Sequence, residues 1–89
     1  MPYDVVLTRP ALRVYQKLPY KLKVAVDRCI IELEENPKYG PNIQRLKGQP
    51  DCFRYQVGGW RILFRIDEMG KEVRIYGIRP RGDVYKHGH

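Results

Sequence analysis

The stretch that decides the fold is residues 51–78, DCFRYQVGGWRILFRIDEMGKEVRIYGI. Three segments in it alternate apolar and polar side chains and are rich in β-branched and aromatic residues, which predicts strands. The segments span residues 51–57, 58–66 and 72–78. Because Gly58-Gly59 and the DEMG run at 67–70 are hairpin signals, the three strands are expected to be consecutive and antiparallel.

The same alternation assigns side chains to the two faces of the predicted sheet. One face is apolar and is expected to pack on helices; it carries Phe53, Tyr55, Val57, Trp60, Ile62, Phe64 and Ile66. The other face is polar and carries Arg54, Gln56, Arg61 and Arg65. If helices cover only the apolar side, the polar face stays open to solvent.

The first part of the chain predicts one strand followed by two helices. Residues 3–7 are short and β-branched, as in a strand. Thr8 offers an N-cap hydroxyl and Pro10 suits a first helical turn, which predicts a helix from about residue 9 to 18. A second helix is predicted over 20–35. Its apolar stripe is Leu22, Val26, Cys29, Ile30 and Leu33.

These elements predict a single α+β domain over residues 1–89. The predicted order is β-α-α-β-β-β, with a helical hairpin on one face of a mainly antiparallel four-stranded sheet. A hydrophobic content of 43% is too high for a disordered chain. No apolar run is long enough to cross a bilayer and the first residues do not resemble a signal peptide, so a cytoplasmic location is expected.

Positive charge is concentrated in the second half of the chain. The formal net charge is +7, and ten basic against five acidic side chains lie from Arg45 onward, compared with seven against five before it. Seven of those ten are arginines, whose planar guanidinium binds phosphate through two hydrogen bonds. This asymmetry predicts nucleic-acid binding, whereas a generic solubilising surface, the alternative, usually favours lysine.

No metal or cofactor is predicted. Cys29 lies in a helical pattern and Cys52 begins a strand, both in apolar surroundings without CxxC spacing. They are therefore expected to be buried free thiols rather than a disulfide or a metal pair. His87 and His89 stand near the chain terminus, where two histidines alone do not make a metal site.

Three motifs follow the predicted helical hairpin in order: RLKGQPDCFR at 45–54, GGWRILF at 58–64 and RPRGDVY at 79–85. In sequence and spacing they resemble the RelE/ParE toxin superfamily, and within it the RelE-type messenger-RNA interferases. Each motif alone is weakly diagnostic. Their order and spacing over nearly the whole chain make the combination specific.

The resemblance implies the toxin of a type II toxin–antitoxin system. Such a toxin is a ribosome-dependent endoribonuclease that cleaves messenger RNA and is held inactive by a cognate antitoxin protein. By the same resemblance, the catalytic positions are Arg61, Arg79 and Tyr85. The residues expected to contact RNA or phosphate are Arg54, Arg81, Lys47, Arg45 and Arg65.

Two features depart from the family pattern. Gln56 stands where relatives carry a second lysine, which weakens the expected phosphate clamp, although Arg65 on the same predicted face can compensate. The chain ends four residues after Tyr85, so the C-terminal helix of many relatives is expected to be missing.

The expected chemistry is attack of the RNA 2′-hydroxyl on the adjacent phosphorus without a metal. Arg61 and Arg54 would bind the phosphate as its negative charge builds, and Arg79 would stabilise the leaving oxygen. Tyr85 would remove the proton or orient the hydroxyl. Because a phenol is ordinarily protonated at neutral pH, this role needs arginines nearby.

Other interpretations stay open on the sequence alone. A ParE-like toxin that inhibits DNA gyrase would use the same fold without nucleolytic residues, and a non-catalytic module would only dock its basic face on RNA or the ribosome. For single side chains, Arg61 or Arg65 could pair with Asp67 or Glu72 across the hairpin, and Tyr85 could cap the sheet.

Overall fold

A computed structural model describes residues 2–81 and gives the protein five strands and two helices. The helices are α1 (Arg9–Lys17) and α2 (Tyr20–Glu35). The strands are β1 (Asp4–Leu7), β2 (Ile43–Arg45), β3 (Cys52–Val57), β4 (Trp60–Asp67) and β5 (Glu72–Pro80). The predicted α+β class and its order of elements are confirmed. The prediction of four strands was wrong by one, because β2 forms in the segment after α2 and pairs with β3.

Local signals set the helix boundaries. Thr8 caps α1, its Oγ1 accepting a hydrogen bond from the Ala11 backbone N–H at 3.4 Å, and Pro10 lies in the first turn. The second helix begins directly after Pro19 and ends at the cap residue Asn36. Both helices match their predicted spans within one residue. Neither has the length and hydropathy that crossing a membrane would require.

The strand order in the sheet is β1-β5-β4-β3-β2. As predicted, β3, β4 and β5 are consecutive and antiparallel, and the loop between β3 and β4 has Gly58 at φ +53°, a conformation that glycine adopts without strain. At the other edge β1 runs parallel to β5. The helices α1 and α2 follow β1 and carry the chain over one face of the sheet to β2 at the opposite edge.

The core lies between the helices and the apolar face of the sheet. Phe53 and Phe64 stack with their ring centroids 5.6 Å apart. Tyr55 is buried as a core residue, and its hydroxyl donates to Glu32 Oε1 at 2.6 Å. The residues predicted for this face are all buried or packed against the core: Phe53, Tyr55, Val57, Trp60, Ile62, Phe64 and Ile66. The opposite face of the sheet, called the open face below, is covered by neither α1 nor α2.

Candidate nucleic-acid interface

The open face carries its side chains in four rows that cross the strands. The first row is Gln56, Arg61 and Arg79, and the second is Arg54, Leu63 and Gly77. The third is Cys52, Arg65 and Arg74, and the fourth is Asp67, Glu72 and Asp4. The open face is therefore basic at the first row and acidic at the fourth.

Arg61 and Arg79 are direct cross-strand partners in the first row. Like charges in register destabilise a sheet, and within residues 2–81 neither arginine has an acidic partner. The Nε atom of Arg61 is also buried without a hydrogen-bond partner in that part of the chain. A buried donor left unpaired costs about 1–3 kcal/mol. An anion bound between the two guanidinium groups would offset the repulsion between the like charges.

Arg65 and Arg74 face each other in the third row, but each has an acidic partner. Arg65 Nε lies 3.5 Å from Asp51 Oδ2, and Arg74 Nη2 lies 2.9 Å from Glu72 Oε1. A hydrogen bond with the Cys52 thiol, followed by the Asp51 carboxylate, raises the pKa of the Arg65 guanidinium. Arg65 therefore pairs with Asp51, not with Asp67 or Glu72. The basic charge without acidic neighbours lies at the first row.

A β-bulge in β5 brings Arg79 onto the open face. The strand register leaves Tyr76 as an extra residue without a partner in β4. Strict alternation from the buried Ile75 would turn Arg79 toward the helices and Ile78 toward solvent. Instead Ile78 is buried and Arg79 is exposed. One inserted residue therefore places Arg79 beside Arg61.

Tyr76 is a candidate functional residue that the sequence analysis missed. Its half-buried side chain lines a cavity of about 250 Å³ with Gln49, Cys52, Arg65 and Arg74. Burial, and then the Cys52 thiol, raise the pKa of the Tyr76 phenol, while the guanidinium groups of Arg65 and Arg79 act in the opposite direction. The sequence signal that could have found it is the change of phase in the apolar pattern of β5.

Arg54 lies on the open face in the second row, next to the Arg61 row. Its Nη2 donates a hydrogen bond to Gln44 Oε1 on the neighbouring strand, which orients the half-buried guanidinium. Gln56 occupies the first row, but its Nε2 donates to the Gly58 carbonyl at 3.0 Å. The open face thus brings together Arg54, Arg61 and Arg79 of the predicted site.

The structure separates Arg45 from that group. Arg45 is the register partner of Phe53, so its side chain lies on the helix side of the sheet, with its guanidinium carbon 5.5 Å from the centroid of the Phe53 ring. Lys47 is exposed in the turn that follows β2. These two basic residues and the first row do not form one continuous patch.

The remaining predicted residues lie at or beyond the end of β5. The Arg81 backbone N–H donates to the Gly59 carbonyl at 2.7 Å, so this residue sits beside the β3–β4 turn, at the first-row end of the sheet. Tyr85 falls outside the described residues. Cys29 and Cys52 are free and buried, as predicted. Among the described residues there is no cluster of three or more His, Cys, Asp or Glu that could hold a metal.

The chain matches a known family of toxins over most of its length. The family model of the ParE toxin of the type II toxin–antitoxin system parDE matches residues 5–85. This chain belongs to the RelE/ParE superfamily of type II toxins. The superfamily predicted from the three sequence motifs is thereby confirmed.

The similarity to individual toxins extends over nearly the whole chain. Toxin RelG from Mycobacterium tuberculosis is 34% identical, covering 97% of this toxin and 99% of RelG. The mRNA interferase toxin RelE from Escherichia coli K12 is 25% identical, covering 96% and 92% of the two chains. A chain of the toxin–antitoxin complex RelBE2 from M. tuberculosis superposes with a TM-score of 0.77 and 29% identity, covering 91% of this toxin and 100% of that chain.

Proposed function

We propose that this toxin is a ribosome-dependent endoribonuclease that cleaves messenger RNA in the cytoplasm and is neutralised by a cognate antitoxin protein. The observation that carries the proposal is the Arg61–Arg79 pair, held in register on the open face without an acidic partner in residues 2–81. The E. coli relative is named an mRNA interferase, and the RelBE2 structure is a toxin–antitoxin complex, which supports this assignment.

In the proposed reaction the RNA 2′-oxygen forms a bond to the adjacent phosphorus as the bond to the 5′-oxygen breaks. Negative charge builds on the phosphate oxygens, and Arg61 with Arg54 would bind them. Arg79 would stabilise the departing 5′-oxygen by charge, because guanidinium is too weak an acid to protonate it, so solvent supplies that proton. Tyr85 would take the 2′-proton as a phenolate, the form that the positive charge of nearby arginines favours. The arginines carry the charge, so the proposed step needs no metal ion in the toxin.

The ribosome's proposed role is to position the message. A guanidinium and a phenol are weak acid–base catalysts, so much of the rate must come from holding the 2′-oxygen in line with phosphorus. Within residues 2–81 the open face is a broad sheet surface that α1 and α2 leave uncovered, which suits docking on a larger RNA scaffold. An antitoxin that covers the first row would block RNA access to Arg61 and Arg79.

The test incubates the toxin with a defined message, with and without ribosomes programmed with that message, and maps cuts by primer extension. We expect discrete cuts that depend on the ribosome and that disappear when the cognate antitoxin is added. A toxin that leaves the message intact contradicts the proposal.

A second candidate function is inhibition of DNA gyrase, favoured by the description of the matching family as a ParE toxin. A supercoiling assay run with the same preparation separates the two activities. Inhibition of supercoiling together with intact messages would identify the toxin as ParE-like.

A further inference from the structure

The cavity beside Tyr76 is not used in the chemistry proposed above. It has a volume of about 250 Å³. That is the space of about eight water molecules in the liquid, enough to admit a flat ring. Cys52, only 2% exposed, contributes a buried wall, and Arg65 and Arg74 contribute guanidinium groups. The cavity therefore combines flat, polarisable side chains with positive charge.

The side chains of this cavity suit a nucleobase. Single-stranded RNA is bound chiefly by stacking of its bases on aromatic rings and on arginine planes. Tyr76 supplies the ring, and it lines the cavity with Cys52, Arg65 and Arg74 of the open face. Gln49 is exposed, and its side-chain amide offers a donor and an acceptor to a base edge.

The position of the cavity fixes which nucleotide can reach it. The first and third rows lie four residues apart along β4, from Arg61 to Arg65, which is about 13 Å. Tyr76 lies between these rows, since it precedes Gly77 of the second row and lines the cavity with Arg65 and Arg74 of the third. An RNA strand held by its phosphate at the first row would therefore bring a neighbouring nucleotide, not the scissile phosphate itself, to Tyr76.

We propose that Tyr76 stacks on a nucleobase of the message adjacent to the scissile phosphate, in the cavity that it shares with Gln49 and Arg65. The inference rests on the proposed function and adds a base-binding subsite to it. The competing possibility is that Tyr76 only fills the bulge and shields Cys52. In that case the effect of removing the neighbouring base on the cleavage rate would not depend on Tyr76.

The test measures single-turnover cleavage of messages on programmed ribosomes, with an abasic ribose placed in turn at each position flanking the cut. Base stacking on an aromatic residue is worth about 5-fold to about 150-fold in binding, so one abasic position should slow the wild-type toxin by that range. Tyr76→Phe keeps the ring and should cleave the intact message nearly as fast as wild type. Tyr76→Ala should be slowed on the intact message and show no further loss on the abasic one.

Two further variants distinguish the loss of the aromatic ring from a defect in folding. Tyr76→Leu keeps most of the side-chain volume without the flat ring, and it replaces Tyr76→Ala if the alanine variant fails to fold by circular dichroism. Tyr20→Ala removes a tyrosine that is 80% exposed at the start of α2, and it should cleave both messages as wild type does.

The outcomes separate this inference from the proposed function. Loss at one abasic position that is absent in the Tyr76→Leu variant supports the stacking role. If wild type cleaves, but the abasic site slows the Tyr76→Leu variant by the same factor as it slows wild type, the stacking role is wrong and the proposed function stands. If wild type cleaves no message at all, the proposed function fails and the inference with it.

Discussion

Arg61 on β4 and Arg79 on β5 face each other across the open face, and no acidic side chain in residues 2–81 pairs with either. The other arginine pair in register, Arg65 with Arg74, is compensated by acidic neighbours. Two pairs with the same geometry thus differ in charge balance. On charge balance, the first row is therefore the more favourable of the two places for an added anion.

Arg61→Ala is expected to lower the rate of message cleavage by at least about 100-fold, because it removes a donor aimed at the charge of the transition state. The fold should persist, since the side chain points away from the core between Trp60 and Ile62. Primer extension on programmed ribosomes measures the rate, and circular dichroism checks the fold. Arg13→Ala, on the exposed face of α1, is the matched control. Cleavage near the wild-type rate in Arg61→Ala would remove this residue from the site.

The double variant Arg61→Gln/Arg79→Gln should be as stable as wild type or more stable at low ionic strength, by up to about 1 kcal/mol. The reason is that it removes a like-charge pair in register. Phosphate should raise the melting temperature of wild type more than chloride does at equal ionic strength, because only the folded protein binds it there. Differential scanning fluorimetry tests both statements. An equal response to phosphate in wild type and double variant would contradict anion binding at the first row.

Local sequence signals were sufficient for both helices and for the three hairpin strands. The Thr8 cap and the Gly58 turn act through their immediate neighbours, so they can be recognised without the rest of the fold. The strand β2 could not be predicted in this way. It is three residues long, too short to show alternation, and it exists because β3 pairs with it. The parallel pairing of β1 with β5 likewise joins segments far apart in sequence, so no local signal predicts it.

The candidate site was predictable only in part. Alternation placed Arg54 and Arg61 on the open face, because β3 and the first part of β4 follow a strict period of two. Alternation alone would have placed Arg79 among the core residues, and only the family motif pointed to it; the bulge at Tyr76 explains how it reaches the open face. For Arg45 the motif was misleading. It grouped Arg45 with the RNA-contacting residues, but the side chain lies on the helix side of the sheet.

Alkaline pH should weaken the fold through Tyr55. Burial, and then the hydrogen bond to Glu32, raise the pKa of Tyr55 from its ordinary value of 10.0 to about 12. The folded protein therefore keeps a proton that the unfolded chain releases, so this stabilisation is complete below about pH 10 and is lost as the pH rises toward 12. Tyr55→Phe should flatten that decline and reduce the free energy of unfolding at neutral pH by about 1 kcal/mol. Urea denaturation across this pH range measures both; an unchanged decline would exclude Tyr55 as its source.

Tyr85→Phe is expected to slow single-turnover cleavage strongly while leaving ribosome affinity nearly unchanged. The substitution keeps the ring and removes only the phenol oxygen, which as a phenolate would accept the 2′-proton. Cleavage rates on saturating programmed ribosomes, compared with ribosome affinity from sedimentation, separate the two effects. A loss of affinity equal to the loss of rate would indicate that Tyr85 docks the toxin instead of acting on the proton.

Ribosome binding should weaken steeply with salt, because phosphate contacts release counterions from RNA. The logarithm of the binding constant should fall linearly with the logarithm of salt concentration, with each phosphate contact to a single strand contributing about 0.7 to the slope. Changing Arg54, Arg61 and Arg79 together to glutamine should therefore reduce the slope by about 2. The matched control changes three exposed helix arginines to glutamine: Arg9, Arg13 and Arg28. It removes the same charge from the opposite side of the sheet and should leave the slope nearly intact. Equal slopes for the two triple variants would show that the open face contributes only general positive charge and that the RNA contacts lie elsewhere.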